Sequence, residues 1–151
     1  MAMLKVFKYL NDDEYRTLLQ TAESKIYKPG ALLIRQGAEQ TNIYILVKGK
    51  AKVVRDHDGF MVDISEHGPG EIFGDMSFIE GQSASASVEA CDPEVQAIMI
   101  THDNIKQFIQ SDASFAGRFY ESLAAILSRR LRATTDNLDA SQSPEDAWGN
   151  P

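Results

Sequence analysis

Residues 68–90 contain the glycines and polar side chains of this chain that could do chemistry. They read GPGEIFGDMSFIEGQSASASVEA, which predicts a short strand ending near Gly74, a helical turn, and a second strand after Gly81. Glycine at position 74 lets the backbone approach a ligand closely, and the amides that follow it would point outward from the helical turn. The segment could therefore hold an anion on backbone amides. The alternative is a glycine-rich connection between strands.

Charge is distributed unevenly around this segment. Between Asp56 and Ile105 the chain has no lysine or arginine, although it has many acidic residues there. The net charge of the whole chain is -7. A phosphate backbone rewards clustered positive charge, so we expect no nucleic-acid partner. An anion bound by the middle of the chain would have to overcome this asymmetry.

The other reactive residue types point away from catalysis. His57 lies between Asp56 and Asp58, which could mark a metal site, but Asp-His-Asp-Gly is favoured as hairpin-turn chemistry. Cys91 is the single cysteine and cannot form an internal disulfide. The sequence has no nucleophile elbow and no phosphate loop of the GxxxxGK type. We expect neither an enzyme nor a metal site.

Length and composition bound the fold. The chain has 151 residues, 43% of them hydrophobic and 25% charged, which suits one soluble domain with its own core. No apolar run approaches the roughly 18–20 residues that a membrane span needs. The amino terminus does not resemble a signal peptide. These features predict a cytoplasmic protein with no membrane partner.

Short apolar segments separated by turn residues predict eight strands. The predicted strands are Lys25–Tyr27, Leu32–Arg35, Ile43–Val47, Ala51–Arg55, Met61–Ser65, Glu71–Phe73, Ser85–Ala90 and Val95–Ile100. Asp58-Gly59 is the clearest tight-hairpin signal among the turns. The pattern indicates a mainly β fold with flanking helices: an eight-stranded antiparallel β-roll of the jelly-roll type.

Helices are predicted on both sides of the roll. Asn11 and Glu14 have the spacing of a capping box for a short first helix, and Thr101 can cap a helix that runs through Ile109. A longer helix is expected from about Asp112 to Asn137. We therefore predict a domain over residues 1–138, with the roll at about 24–100 and the C-terminal helices at about 101–138. Residues 139–151 are expected to form a polar, acidic, flexible tail.

The long helix has two apolar stripes. One consists of Phe119, Leu123 and Ile126. The other consists of Leu127, Leu131, Thr134 and Leu138, in the four-three-four rhythm of a coiled-coil seam. A helix that lies on a roll needs one stripe, so the second favours a two-fold dimer through this helix. The alternative is one wide stripe packed inside the monomer.

Four motifs together resemble the cyclic nucleotide-binding domain of cAMP receptor proteins, protein kinase A regulatory subunits and cyclic-nucleotide-gated channels. They are KPGALLIRQG at 28–37, YILVKG at 44–49, PGEIFG at 69–74 and SASVEA at 85–90. They follow the family's order at close to its spacing. The resemblance extends from Phe7 to Leu138 and implies the same helix, roll and helix architecture.

The resemblance also assigns a phosphate-binding cassette. It places the ligand-binding positions at Phe73, Gly74, Asp75, Met76, Ser77, Ser83, Ala84 and Ser85. In the family a glutamate holds the ribose hydroxyl and an arginine pairs with the cyclic phosphate. Here the glutamate position is Asp75 and the arginine position is Ala84. Asp75 is one methylene shorter, and Ala84 cannot pair with a phosphate.

The loss in binding affinity that follows from a missing arginine can be estimated. A charge-assisted hydrogen bond is worth about 1.5–3 kcal/mol, so cAMP or cGMP binding is expected to be weaker by about tenfold to a hundredfold or more. Asp75 would also face the phosphate without a neutralising partner. The remaining phosphate contacts would be the amides after Gly74 and the hydroxyls of Ser77, Ser83, Ser85 and Ser87. Whether Arg118, Arg129 or another basic residue replaces the arginine stays open.

Two smaller patterns leave alternatives. Ser83, Ser85 and Ser87 alternate, which fits either a polar pocket floor or a solvated strand face. Arg129, Arg130 and Arg132 cluster near the predicted end of the long helix, where the helix dipole explains them and an acidic partner is the minor alternative.

The resemblance implies a regulatory, ligand-sensing module that signals by movement of its C-terminal helices to an unknown effector protein. Its small-molecule ligand would be cAMP or cGMP bound weakly, or a ligand with less negative charge. No cofactor is assigned. Because few residues follow Asn137, we expect a stand-alone module without a DNA-binding domain. The alternative is a vestigial pocket in a domain that serves protein–protein interaction and dimerisation.

Overall fold

The computed structural model describes residues 5–141, with side chains through residue 138. These described residues form eight strands and four helices in the order α1, β1–β6, α2, β7, β8, α3, α4. The strands are β1 Glu23–Tyr27, β2 Leu32–Ile34, β3 Ile43–Lys48, β4 Ala51–His57, β5 Phe60–His67, β6 Ile72–Phe73, β7 Ser87–Ala90 and β8 Val95–Ile100. The helices are α1 Asp12–Gln20, α2 Asp75–Glu80, α3 His102–Ser111 and α4 Ala113–Ser141.

The strands form two antiparallel four-stranded sheets. The first sheet has the order β1-β8-β3-β6 and the second has the order β2-β7-β4-β5. Each of the eight predicted strands is present, and the eight-stranded β-roll with flanking helices is confirmed. Strand β7 begins at Ser87 instead of Ser85.

Alternation along the central strand β3 builds two cores. Ile43 and Ile45 pack with the helices in one apolar cluster, whereas Tyr44 and Leu46 pack with the second sheet in another. Successive strand side chains point to opposite faces, so a continuous apolar run is buried on both sides. The first sheet therefore packs against the helices on one face and against the second sheet on the other.

Helix caps predicted from the sequence are present. Asn11 accepts a hydrogen bond from the Glu14 amide at 2.8 Å, and the Glu14 carboxylate accepts one from the Asn11 amide at 3.0 Å. Thr101 Oγ1 accepts from the Asn104 amide at 3.2 Å. Helix α4 has a cap that was not predicted, since the side chain of Asp112 accepts a hydrogen bond from the Ser114 amide at 2.9 Å.

The Asp58-Gly59 hairpin is also confirmed. It joins β4 to β5, with His57 paired to Phe60 in the register. Asp58 has a φ of 54° and Gly59 a φ of 88°, and the Asp56 carboxylate accepts a hydrogen bond from the Gly59 amide at 2.8 Å. Two successive positive φ values suit the twist of a two-residue hairpin.

Helix α4 is longer than predicted and is buried along one stripe. It ends at Ser141 rather than near Asn137, so its last residues include the first ones that were assigned to the tail. Phe115, Phe119, Leu123 and Ile126 are buried in the helix-side core. The rest of the predicted tail, residues 142–151, lies outside the described residues.

Candidate functional site

A cavity of about 870 Å³ opens between the second sheet, the α2 segment and α4. We call residues Phe73–Ser85 the cassette. The cavity wall includes both ends of the cassette, part of β5 near His67, and the side of α4 that carries Arg130 and Thr134. A space of this size can hold a small ligand.

Most of the predicted site residues line this cavity. Those in its wall are Phe73, Gly74, Asp75, Met76, Ser77, Ala84 and Ser85. Ser83 is exposed and lies outside the wall. Ser87 is buried, and its hydroxyl accepts a hydrogen bond from the Gln36 amide at 2.8 Å. The alternating serines therefore form neither a continuous pocket floor nor a solvated face.

Gly74 brings the backbone close to a neighbouring strand. Its φ is 84°, and a Cβ at this position would lie 2.3 Å from the carbonyl oxygen of Asn42. Helix α2 begins at the next residue, and Gly74 provides no side-chain cap for its amides. A side chain at position 74 would be excluded by backbone conformation and by space.

Asp75 is buried and paired with an arginine from the far end of the sequence. Its side chain is 3% exposed, and Arg130 Nη1 donates to both carboxylate oxygens, at 3.2 and 3.0 Å. Arg130 Nη2 also donates to the carbonyl oxygen of Ile72. The expectation that Asp75 would lack a neutralising partner is therefore wrong. One guanidinium therefore connects α4 to strand β6 through Ile72 and to helix α2 through Asp75.

The helix dipole does not explain the basic cluster on α4, because the helix continues well beyond it to Ser141. Arg129 and Arg130 are in the cavity wall instead. Arg118 is committed elsewhere, since its Nε donates to the Glu14 carboxylate of α1 at 2.9 Å. Arg118 is also not part of the cavity wall, so it is not placed to contact a bound phosphate.

Arg130 was noted in the sequence only as part of the basic cluster, although its spacing carries a signal that it is partly buried. Phe119, Leu123 and Ile126 are spaced four and three apart, and the next residue in that rhythm is Arg130. The buried stripe of α4 thus continues into a charged residue. A charge on the apolar face of a helix requires a partner, and here that partner is Asp75.

Ala84 has an apolar environment and fully used backbone groups. It is 9% exposed and packs in the core between the sheets. Its amide donates to the Ala38 carbonyl oxygen at 3.0 Å, and its carbonyl oxygen accepts from the Gly37 amide at 2.8 Å. Among the described residues, Arg129 and Arg130 are the arginines of the cavity wall, and no lysine belongs to it. The guanidinium of Arg130 already holds Asp75.

His67 forms part of the wall beside the cassette. Its Nε2 lies 2.7 Å from the hydroxyl of Ser65, and its ring contacts the ring of Phe73 edge-on. Burial lowers the pKa of His67; the nearby Glu71 carboxylate opposes this and Arg130 adds to it. The imidazole is therefore neutral near pH 7 and adds no positive charge to the cavity.

The second stripe of α4 is open to solvent in the single chain. Leu131 is 68% exposed and Leu138 is 43% exposed, while Leu127 is half-buried. Thr134 is exposed as well, and its hydroxyl donates to the Arg130 carbonyl oxygen at 3.0 Å. The two stripes are thus not one wide stripe packed inside the monomer.

Two features are absent from residues 5–141. No helix in this part of the chain combines the length and the apolar character that crossing a membrane requires. The same residues contain no group of three or more potential metal ligands. His57 lies in the β4–β5 hairpin.

The cyclic nucleotide-binding domain family matches residues 24–112, which is more than half of the chain. The chain belongs to this family. Its architecture of α1, an eight-stranded roll and two C-terminal helices is the one that the resemblance implied. The cyclic nucleotide-binding domain described here therefore has the family's fold.

Curated relatives include regulators and a kinase. The cyclic AMP receptor protein of Thermus thermophilus is 29% identical over 136 residues, covering 89% of this chain and 60% of that protein. The mouse cGMP-dependent protein kinase 2 is 27% identical over 128 residues, covering 83% of this chain and 17% of the kinase. The chain thus spans less than two thirds of the length of these relatives.

A solved structure with a similar fold is the regulatory subunit of a cAMP-independent protein kinase A from Trypanosoma brucei. It superposes with a TM-score of 0.68 at 25% identity, covering 80% of this chain and 42% of that one. A variant of the same subunit with three substitutions, one of which introduces an arginine, has been solved with cAMP in its A site.

Proposed function

We propose that this domain is a regulatory sensor that binds a small molecule in the cavity and reports its occupancy through α3 and α4. The observation that carries the proposal is the Arg130–Asp75 ion pair, with Arg130 also held by the Ile72 carbonyl. A ligand in the cavity can contact the cassette and α4 together, because both form its wall. Displacement of the cassette would therefore be transmitted directly to the long helix.

The family membership supports a cyclic nucleotide as one ligand class, but the site predicts weak binding. Ala84 offers no donor at the phosphate position, and the guanidinium of Arg130 is already engaged by Asp75. Loss of a charge-assisted hydrogen bond of about 1.5–3 kcal/mol corresponds to about a tenfold to hundredfold loss of affinity for cAMP or cGMP. The pocket therefore favours a ligand that is neutral or less negative than a cyclic phosphate.

The trypanosome regulatory subunit provides a parallel for this proposal. That subunit is described as belonging to a cAMP-independent kinase, and its arginine-containing triple variant holds cAMP. By analogy, a single arginine returned to the cassette of this domain should increase its affinity for cAMP.

Calorimetric titration with cAMP and cGMP tests the proposal on three proteins. Ala84→Arg places a guanidinium in the cavity wall, whereas Ser83→Arg adds the same charge at an exposed neighbour outside the wall. We expect weak binding by the wild type and Ser83→Arg, and affinity higher by at least about tenfold for Ala84→Arg. If Ala84→Arg folds but binds neither nucleotide, the sensor proposal fails.

The second candidate function is a dimerising interaction module whose pocket is vestigial. Exposed apolar side chains favour it: Leu131 on α4 is 68% exposed, and Phe60 on β5 is 75% exposed. A two-fold dimer through the second stripe of α4 is part of both candidate functions. In both, an unidentified effector protein in the cytoplasm would detect the position of α4, and the domain would be regulatory rather than catalytic.

A further inference from the structure

Gln40, in the connection between β2 and β3, is a cavity residue that the cassette assignment does not include. It belongs to the cavity wall, and its side-chain nitrogen Nε2 is buried without a hydrogen-bond partner among the described residues. Burying an amide donor without a partner is costly, so such a group in a cavity wall indicates a missing acceptor. Arg130 Nε in the same wall is buried without a partner as well.

The orientation of the Gln40 amide is fixed by its other end. Its Oε1 accepts a hydrogen bond from the Asn42 amide at 3.1 Å. Because a backbone N–H can only donate, the atom facing it must be the amide oxygen, and the other atom must be the NH₂ group. The unpartnered donor is therefore a consequence of the local backbone.

The position of Gln40 relates it to both critical ends of the cassette. Its Nε2 lies 3.5 Å from the place that a Cβ on Gly74 would occupy. Two residues earlier, Ala38 accepts a hydrogen bond from the Ala84 amide at 3.0 Å, and Gly37 donates to the Ala84 carbonyl oxygen at 2.8 Å. The segment that carries Gln40 thus runs from Ala84 to Gly74.

We infer that Gln40 is a ligand-binding residue, which donates its amide N–H to an oxygen of the bound molecule at the Gly74 end of the cavity. It provides an uncharged hydrogen bond in a cassette that lacks a charged one at Ala84. A neutral amide can donate to a hydroxyl or carbonyl oxygen and needs no negative charge on its acceptor, so this donor suits a ligand of low negative charge. The inference rests on the proposed sensor function.

The test measures cAMP binding in the Ala84→Arg background, where the affinity is expected to be high enough for calorimetry. Gln40→Met removes the amide. Gln40→Glu keeps an oxygen for the Asn42 amide but removes the free donor. Glu39→Gln is the matched control, because Glu39 is exposed and outside the cavity wall. Thermal unfolding midpoints are measured for all proteins.

We expect both Gln40 variants to bind cAMP about tenfold more weakly than the Ala84→Arg parent, which is the size of one buried hydrogen bond, and the Glu39 control to bind unchanged. Unchanged affinity in both Gln40 variants would overturn the inference and leave the sensor proposal standing. Loss in Gln40→Met with parent-like binding by Gln40→Glu would also overturn it, because Gln40 would then only orient Asn42. If the folded parent binds no cAMP, the sensor proposal fails first and this inference falls with it.

Discussion

At the scale of single residues, position 74 has room for glycine alone for two separate reasons. The backbone has a φ of 84°, where a side chain is strained, and a Cβ would lie 2.3 Å from the Asn42 carbonyl oxygen. Gly81, at the other end of α2, has a φ of 70° but nothing within 4 Å of its Cβ position. Comparing substitutions at the two glycines therefore distinguishes the effect of backbone strain from that of steric overlap.

Gly74→Ala is expected to destabilise the domain by more than about 2 kcal/mol, because strain and overlap add. Gly81→Ala has the strain alone and should cost about 1 kcal/mol. Urea unfolding of both variants and the wild type measures these differences. Equal losses in the two variants would contradict the close approach of Gly74 to Asn42.

Residue-level prediction from sequence succeeded where the partner is close in the chain and failed where it is distant. The capping pair of Asn11 and Glu14 is three residues apart and could be identified from spacing alone. Asp75 and Arg130 are 55 residues apart, and their contact depends on how α4 crosses the cassette. Spacing could place Arg130 on the buried stripe, but it could not identify Asp75 as its partner.

At the scale of elements, α4 is joined to the rest of the domain by two ion pairs. Arg130 pairs with Asp75 at α2, and Arg118 pairs with Glu14 at α1. The Arg118 guanidinium lowers the pKa of Glu14, whose side chain is 14% exposed, against the opposing effect of burial. Glu14 therefore stabilises the fold when it is ionised.

The pH dependence of stability has a definite sign. Because the pKa of Glu14 is lower in the folded state than the ordinary value of 4.5, its contribution is present above that value and is lost as the pH falls through the folded pKa. Arg118→Met should lower the urea midpoint at pH 7, and the difference from the wild type should narrow as the pH falls below 4.5.

Arg16→Met is the control for this measurement, since Arg16 pairs with Asp13 while both side chains are largely exposed. It should change the midpoint little at any pH, because exposed pairs contribute little. A difference between Arg118→Met and the wild type that stays constant from pH 7 to pH 3 would contradict the role of Glu14 ionisation.

The element boundaries were predictable where turn residues mark them. Asp58-Gly59 fixed the β4–β5 hairpin, and Thr101 fixed the start of α3. The end of α4 was predicted too early, because the polar residues after Leu138 resemble a tail and nothing local stops the helix. The start of β7 was also misplaced, since residues 85 and 86 line the cavity instead of continuing the strand.

At the scale of the whole molecule, the unburied stripe of α4 predicts a dimer. Leu131 is 68% exposed, and its rhythm with Leu127 and Thr134 suits a second copy of the same helix. Leu131→Glu should convert the dimer to a monomer in sedimentation velocity, because it places two charges in an apolar seam.

Ile26→Glu serves as the control for the dimer prediction. Ile26 is 71% exposed but lies on β1, an edge strand of the first sheet. It should leave the sedimentation coefficient unchanged. A wild type that sediments as a monomer at concentrations of about 100 μM, a range in which a stable dimer with a micromolar Kd would be formed, would contradict the dimer.

The overall architecture could be predicted from motifs that lie in order along the chain, because each motif marks a turn or a strand of the roll. The polar contacts in the cavity wall could be identified only from the folded structure. The sequence alone indicated that Ala84 lacks a charge, but it could not show that Arg130 is engaged by Asp75 or that Gln40 faces the cavity.

The most direct measurement compares cAMP with adenosine, which lacks the phosphate, on the wild type and Ala84→Arg by calorimetry. The account predicts that Ala84→Arg raises the affinity for cAMP by at least about tenfold and leaves the affinity for adenosine unchanged, because the guanidinium contacts only the phosphate. A wild type that already binds cAMP with a Kd below about 1 μM, and gains nothing from Ala84→Arg, would contradict it.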